Sequence, residues 1–189
     1  MKSRYVADWD GKSPIEIKNF TRRHLAILFK NLGFKMGAEI GVDLAVYSKT
    51  LCSRIPNLKL YCVDPWKAYA LKGSTDEHHE ECFQRSKEAL RGFDVEFMRE
   101  YSMDAVEKFA DDSLDFVYID GDHRYSFVMD DLVYWNKKVR PGGIVSGHDY
   151  YPRGQQVIDA VHDYVEANDI TRWFITDKIH PASFFWEKK

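Results

Sequence analysis

The sequence contains few cysteines and no long apolar run. Cys52, Cys62 and Cys82 are odd in number and none forms a CxxC pair, which argues against a disulfide framework or a structural zinc site and is typical of a reducing compartment. No stretch approaches the ~20 apolar residues that cross a bilayer. The segment Met1–Ser13 lacks the apolar region of a signal peptide. We therefore expect a cytoplasmic protein with no membrane segment.

Neither sign of charge dominates the chain. Its 27 basic and 30 acidic residues give a net charge of −3, which provides no electrostatic footprint for binding a nucleic-acid backbone. We expect no nucleic-acid partner, and a small molecule is the simpler expectation for the ligand. Composition does not determine the oligomeric state, and a homodimer is compatible with it.

Short apolar runs alternate with stretches of helical periodicity along the chain. Such alternation predicts parallel strands joined by helices on both faces of a doubly wound, Rossmann-like α/β sheet. With 44 % hydrophobic residues, one core is sufficient, so we expect a single domain with an N-terminal tail and helix (residues 1–35) and a Rossmann-like core (residues 36–189). The predicted strands include Met36–Val42, Leu58–Val63, Val95–Met98, Leu114–Ile119 and Ile144–Val145, closed by antiparallel strands at Trp173–Thr176 and Ser183–Trp186.

Acidic and histidine side chains follow two of these strands. The run Leu114–Ile119 ends at Asp120, and the run after the predicted turn Pro141-Gly142-Gly143 ends at His148 and Asp149. If the two strands are neighbours, their polar ends meet at the carboxyl edge of the sheet, where open α/β sheets bind ligands. The predicted active-site crevice therefore contains Asp120, Asp122, His123, His148 and Asp149.

The turn after the first core strand predicts the type of cofactor. In MGAEIGVDLAVYS, Gly41 is followed by Asp43 where a dinucleotide-binding loop requires its second glycine. A carboxylate facing phosphates disfavours NAD and FAD, whereas Glu39 and Asp43 suit the cationic tail of S-adenosylmethionine. Asp64 ends the next strand about 20 residues after Gly41, the spacing of an acidic residue that binds ribose hydroxyls. Trp66 is a candidate for lining the adenine or ribose pocket.

The motifs AEIGVDLAVYS, CVDPW, IDGDHRY and RPGGIVSGHDY resemble those of class I S-adenosylmethionine-dependent methyltransferases. Within that class they resemble the macrocin and novobiocin sugar O-methyltransferases and the cephalosporin hydroxylase-like proteins, and more distantly catechol O-methyltransferase. The resemblance implies a seven-stranded sheet of order 3-2-1-4-5-7-6 whose last strand is antiparallel. It places Glu39 and Gly41 at the methionine end, Asp64 on the ribose and Ser102 near the adenine. Asp43 and Ala45 replace the usual later glycines of the loop. The predicted cofactor-binding residues are Glu39, Gly41, Asp43, Asp64, Trp66, Ser102 and Asp120.

The same resemblance implies a divalent cation, magnesium or manganese, on Asp120, His148 and Asp149. Methyl transfer requires an aligned acceptor oxygen that has lost its proton, and a bound cation makes that loss easier. The resemblance places the base at Asp122, and His123 is a second candidate because histidine titrates near neutral pH. Relatives carry an acid in place of His148, and an imidazole there favours manganese over magnesium or means that no metal binds.

The expected reaction is O-methylation of a hydroxyl on a small molecule or sugar. Tyr150, Tyr151 and Arg153 follow the predicted metal site and either shape the acceptor pocket or pack against it. The tail is expected to dock through Tyr5 and Trp9, and the aperiodic loop Pro65–Thr75 is a candidate lid. The alternatives are a metal-dependent hydroxylase on the same scaffold, a metal-independent methyltransferase with a histidine base, and a non-catalytic nucleoside-binding protein.

Overall fold

An eight-stranded sheet forms the centre of the computed structural model, which describes residues 5–69, 74–178 and 181–189. Neighbouring strands from β2 to β6 are parallel, β8 is antiparallel to both β6 and β7, and β1 is parallel to β7. The spatial order is β4-β3-β2-β5-β6-β8-β7-β1. The strands are β1 (Ile15–Glu16), β2 (Met36–Ile40), β3 (Lys59–Val63), β4 (Val95–Met98), β5 (Leu114–Ile119), β6 (Val139–Tyr150), β7 (Phe174–Ile175) and β8 (Ala182–Glu187).

Helices cover both faces of the sheet. The helices are α1 (Arg22–Asn31), α2 (Val46–Arg54), α3 (Asp76–Ala89), α4 (Ser102–Val106), α5 (Tyr125–Lys138) and α6 (Gln155–Ala167), with a 3₁₀ turn at Pro152–Gly154. Buried residues of α4, α5 and α6 pack with Val117 and Val145 on one face. Those of α1, α2 and α3 pack with Phe116 and Tyr118 on the other. Because successive side chains of β5 point to opposite faces, this one strand supports two cores.

The predicted order 3-2-1-4-5-7-6 is confirmed for β2 to β8, and β1 is an additional strand at the edge. The backbone N–H groups of Ile15 and Ile17 donate to the carbonyls of Trp173 and Ile175, each at 3.0 Å. Two residues are too few for an alternating pattern, so the sequence did not predict β1. The preceding tail docks as expected, with Tyr5 against Phe20 at 5.0 Å and Trp9 near Phe174.

The strand β6 is longer than predicted, because Pro141-Gly142-Gly143 lies within it. Leu114 pairs with Val139 but Phe116 pairs with Ile144, so the residues between bulge out of the ladder. The prediction of a turn before the strand was therefore wrong. Part of the candidate lid Pro65–Thr75, residues 70–73, lies outside the described residues. None of the helices in the described ranges is long and apolar enough to cross a membrane.

Candidate active site

The loop after β2 packs directly on the end of β5. Gly41 has φ +84°, and a Cβ there would lie 2.1 Å from the backbone oxygen of Asp120, so only glycine fits. Asp43 and Ala45 also have positive φ, 48° and 56°. These two residues therefore adopt the left-handed conformation for which glycine is usually needed, and the loop turns without the later glycines of the family motif.

Asp64 at the end of β3 holds this loop in place. Its Oδ2 accepts hydrogen bonds from the backbone N–H groups of Val42 at 2.9 Å and Asp43 at 3.0 Å. Its Oδ1 accepts from the N–H of Trp66 at 2.7 Å. A carboxylate offers about four lone-pair sites, and these bonds use both of those on Oδ2 and one on Oδ1, so Oδ1 retains the capacity to bind a ribose hydroxyl.

Glu39 on β2 is a buried carboxyl group at this end of the sheet. It is 2 % exposed, and Ser48 Oγ donates to its Oε2 at 2.5 Å. Burial raises the pKa of Glu39 to about 8, because the charged form loses its hydration. A cationic ligand group that reached this side chain would restore its charged form.

Two carboxylates and two histidines converge where β5 and β6 end. His123 Nε2 lies 2.9 Å from Asp149 Oδ2 and 3.8 Å from Asp120 Oδ1. His148 Nδ1 lies 3.6 Å from Asp120 Oδ1 and 3.4 Å from Asp149 Oδ2. Asp149 has φ +56° and lies within the register shift between Gly147 and Tyr150 in the β6–β8 pairing. The structure therefore brings together four of the five residues of the predicted crevice, Asp120, His123, His148 and Asp149.

The electrostatics of this cluster are those of carboxylates paired with histidinium ions. The carboxylates of Asp120 and Asp149 raise the pKa of His123 to about 10. Burial lowers the pKa of His148, but the same carboxylates outweigh it and raise the value to about 9. The pKa of Asp149 is lowered well below its usual range, since hydrogen bonds from the two histidines outweigh its burial.

The donor set fits a divalent cation. One donor atom from each of Asp120, His123 and Asp149 lies within 4.8 Å of the other two. Two carboxylate oxygens with imidazole nitrogen suit manganese and related transition metals better than magnesium. His123, predicted only as a base, is thus also within reach of a cation, and His148 lies beside the group. A bound cation would replace the histidine protons as the counter-charge.

Asp122, the predicted base, forms an ion pair with the guanidinium of Arg124. Arg124 donates to both carboxylate oxygens of Asp122 through Nε at 3.0 Å and through its terminal nitrogen at 2.6 Å. These bonds lower the pKa of Asp122, which makes it a weak proton acceptor. Of the two candidates, His123 is the one whose ring nitrogen lies beside Asp120 and Asp149.

Trp66 and Ser102, predicted to be near the nucleoside, are engaged by neighbours. Trp66 is 2 % exposed, its ring lies 4.9 Å from that of Phe83, and its Nε1 donates to the carbonyl of Asp43 at 3.0 Å. Trp66 therefore packs from the protein interior against the loop that follows β2. The Ser102 hydroxyl donates to the buried carboxyl of Asp131 and accepts from Trp135 Nε1 at 2.7 Å.

Tyr150, Tyr151 and Arg153 were predicted either to shape the pocket for the methyl acceptor or to pack against it. Tyr150 packs in the core. Its ring is buried against Trp173, and its hydroxyl lies 2.7 Å from His162 Nε2. Tyr151 is partly buried and Arg153 is exposed, both at the 3₁₀ turn that follows β6. Their predicted contact with an acceptor stays a prediction.

One residue of this region was missed by the sequence analysis. The Arg22 guanidinium lies 3.9 Å from Asp120 Oδ2, and its central carbon lies 5.4 Å from the centre of the Tyr47 ring. Arg22 begins α1, nearly a hundred residues before Asp120 in the chain. In the sequence it is one of several polar residues on an amphipathic helix, and no motif distinguishes it.

Comparison with known proteins relates this arrangement to a family. A family model described as a methyltransferase domain matches residues 35–150. The O-methyltransferase from Bacillus cereus, solved with S-adenosylhomocysteine, superposes with TM-score 0.66 at 14 % identity over 89 % of this chain and 80 % of its own.

Two further solved structures resemble the chain in fold. The O-methyltransferase NovP gives TM-score 0.66 at 18 % identity, over 89 % of this chain and 78 % of that one. TomG from Streptomyces achromogenes, an O-methyltransferase of tomaymycin synthesis solved with S-adenosylmethionine, gives 0.65 at 13 %, over 89 % and 79 %. A search of curated proteins gives no match.

Proposed function

This chain belongs to the class I methyltransferases, which take their methyl group from S-adenosylmethionine. On that basis we propose that it methylates a hydroxyl of a small molecule or sugar with the aid of a divalent cation. The observation that carries the proposal is the meeting of Asp120 and Asp149 with His123, their donor atoms within 4.8 Å of one another. This group lies beside the glycine loop, because the backbone of Asp120 contacts Gly41.

The cofactor would occupy the edge formed by the ends of β2, β3 and β5. Asp64 would bind a ribose hydroxyl with the lone pair of Oδ1 that its three backbone contacts leave free. Glu39 would face the ammonium group of the methionine half. These placements bring the sulfonium end of the cofactor toward Asp120 and the acceptor oxygen toward the cation site.

The chain's own groups would then align the acceptor and take up its proton. When bound, a divalent cation lowers the pKa of an acceptor hydroxyl and, by neutralising Asp120 and Asp149, that of His123. Asp120 and Asp149 would hold the cation, which leaves His123 Nε2 free to accept the hydroxyl proton. Bound at this edge, S-adenosylmethionine would supply the methyl group, and its sulfur would keep the electron pair of the C–S bond as the acceptor oxygen forms the C–O bond. The His123 side chain is 51 % exposed, so it can return the proton to solvent.

Methyl transfer to a panel of catechols and sugars tests the proposal, with tritiated S-adenosylmethionine as donor. Activity should disappear on treatment with EDTA and return with manganese or magnesium. Asp149→Asn should abolish it, whereas the control Asp130→Asn, an exposed carboxylate on α5, should leave it unchanged.

Other outcomes would favour the alternatives. Activity that is indifferent to EDTA and to Asp149→Asn would favour a metal-independent enzyme with a histidine base. Iron-dependent oxidation of the acceptors without methyl transfer would favour the hydroxylase. Cofactor binding without turnover of any acceptor would favour a non-catalytic protein.

A further inference from the structure

The predicted cofactor edge is rich in carboxylates, but the methionine half of S-adenosylmethionine carries a carboxylate as well as two cations. A positively charged partner would stabilise that negative group among so many carboxylates. Five acidic residues belong to the edge and the adjoining cation site, namely Glu39, Asp43, Asp64, Asp120 and Asp149. Within the described ranges, Arg22 is the one lysine or arginine with a side-chain nitrogen within 4.0 Å of any of these carboxylates. We infer that the guanidinium of Arg22 binds the carboxylate of the methionine half, an inference that rests on the use of this cofactor.

Local structure holds Arg22 at the edge. The helix α1 begins with it, directly after the N-cap Thr21, whose backbone N–H donates to His24 Nδ1 at 3.1 Å. The hydroxyl of Tyr47 donates to the carbonyl of Arg22 at 3.0 Å, and the guanidinium lies over the face of the same ring. Tyr47 belongs to α2, the helix that follows the glycine loop. The position of Arg22 is thus fixed relative to that loop.

The N–H groups of the Arg22 guanidinium are available to bind a ligand. Its 3.9 Å approach to Asp120 is too long for a hydrogen bond, and no hydrogen bond from its side chain to another described residue is formed. Its side chain is 36 % exposed, so a ligand can reach it. Five N–H groups in a planar fork match a carboxylate with two parallel hydrogen bonds. An arginine that served only Asp120 would be expected to contact it directly.

Arg22 and Glu39 lie on the same side of the sheet. Glu39 pairs in register with Tyr118, and the Tyr118 ring lies 4.2 Å from the ring of Tyr47, on which the guanidinium rests. An amino acid carries its ammonium and carboxylate on one carbon, so its two partners must lie close together. Glu39 for the ammonium and Arg22 for the carboxylate share that side, and the charge of Arg22 is near enough to lower the pKa of Glu39 in part against its burial.

A matched pair of ligands isolates the contact. Calorimetry would compare S-adenosylmethionine with its decarboxylated analogue, which keeps the sulfonium and ammonium but has no carboxylate. Arg22→Gln should weaken binding of the first roughly 10- to 100-fold and leave that of the second nearly unchanged. Arg23→Gln, which removes an exposed neighbouring charge, should affect neither ligand.

The outcomes separate this inference from the proposed function. Equal weakening of both ligands by Arg22→Gln, or no weakening of either, would overturn the role of Arg22 while leaving cofactor use intact. Wild-type protein that binds neither ligand would refute cofactor use and the inference with it. Arg22→Lys, which keeps the charge but loses the fork, replaces Arg22→Gln if the latter fails to fold, and it should show a smaller loss for the same ligand alone.

Discussion

Binding of S-adenosylmethionine at pH 7 should release a proton from Glu39. Burial raises the pKa of this side chain to about 8, so about nine-tenths of the molecules carry the proton at pH 7. No hydrogen bond to Glu39 other than that from Ser48 is formed within the described part of the chain. A ligand ammonium beside the carboxyl favours the ionised form. The expected release is therefore most of one proton per cofactor at pH 7.

Calorimetry in buffers of different ionisation enthalpy measures this number directly, in metal-free protein. The slope of observed enthalpy against buffer enthalpy should give the predicted release for the wild type and nearly zero for Glu39→Gln. The control ligand 5′-methylthioadenosine, which has no ammonium, should release no proton from either protein. The reasoning fails if Glu39→Gln releases as many protons as the wild type, since the protons would then come from another group.

Three further predictions concern the loop, the ribose and the histidines. Gly41→Ala should lower the free energy of unfolding by about 2 to 5 kcal/mol, because it adds a backbone clash to the strain of positive φ. Gly33→Ala, with φ +76° but open space around it, should cost about 1 to 2 kcal/mol, and equal costs in urea denaturation would contradict the close approach. Asp64→Ala should weaken S-adenosylhomocysteine binding by about 1 to 3 kcal/mol, and unchanged affinity in calorimetry would refute the ribose assignment. His123 and His148 have folded pKa values raised to about 10 and about 9, so their stabilisation is complete below pH 6.5 and is lost as pH rises through 9 to 10. The Tm of metal-free protein should fall over that range, and a Tm that rises there would count against these histidine–carboxylate pairs.

The positions of the core strands were predictable because each is a short apolar run between helical periods, a pattern that depends on neighbouring residues alone. The order of the strands in the sheet was implied by the family resemblance, and right-handed crossovers are consistent with it. The strand β1 and the bulge at Pro141-Gly142-Gly143 depend instead on pairing with distant strands. The local pattern at that bulge, proline followed by two glycines, is the same as that of an ordinary turn.

The candidate site was predictable to the extent that strand ends determine it. Asp120 and Asp149 meet because β5 and β6 are parallel neighbours, and this follows from the topology. The partner of each side chain does not follow from it. The pairing of Asp122 with Arg124 and the packing of Tyr150 in the core depend on side-chain conformation. Arg22 approaches Asp120 through the packing of α1, which no local motif encodes.

A crystal structure with S-adenosylhomocysteine and manganese tests the central claim most directly. The anomalous difference map should show one manganese ion bound by Asp120 and Asp149, and the ribose of the nucleoside should contact Asp64. A nucleoside bound away from the ends of β2 and β3, or manganese found only elsewhere on the protein, would contradict the account.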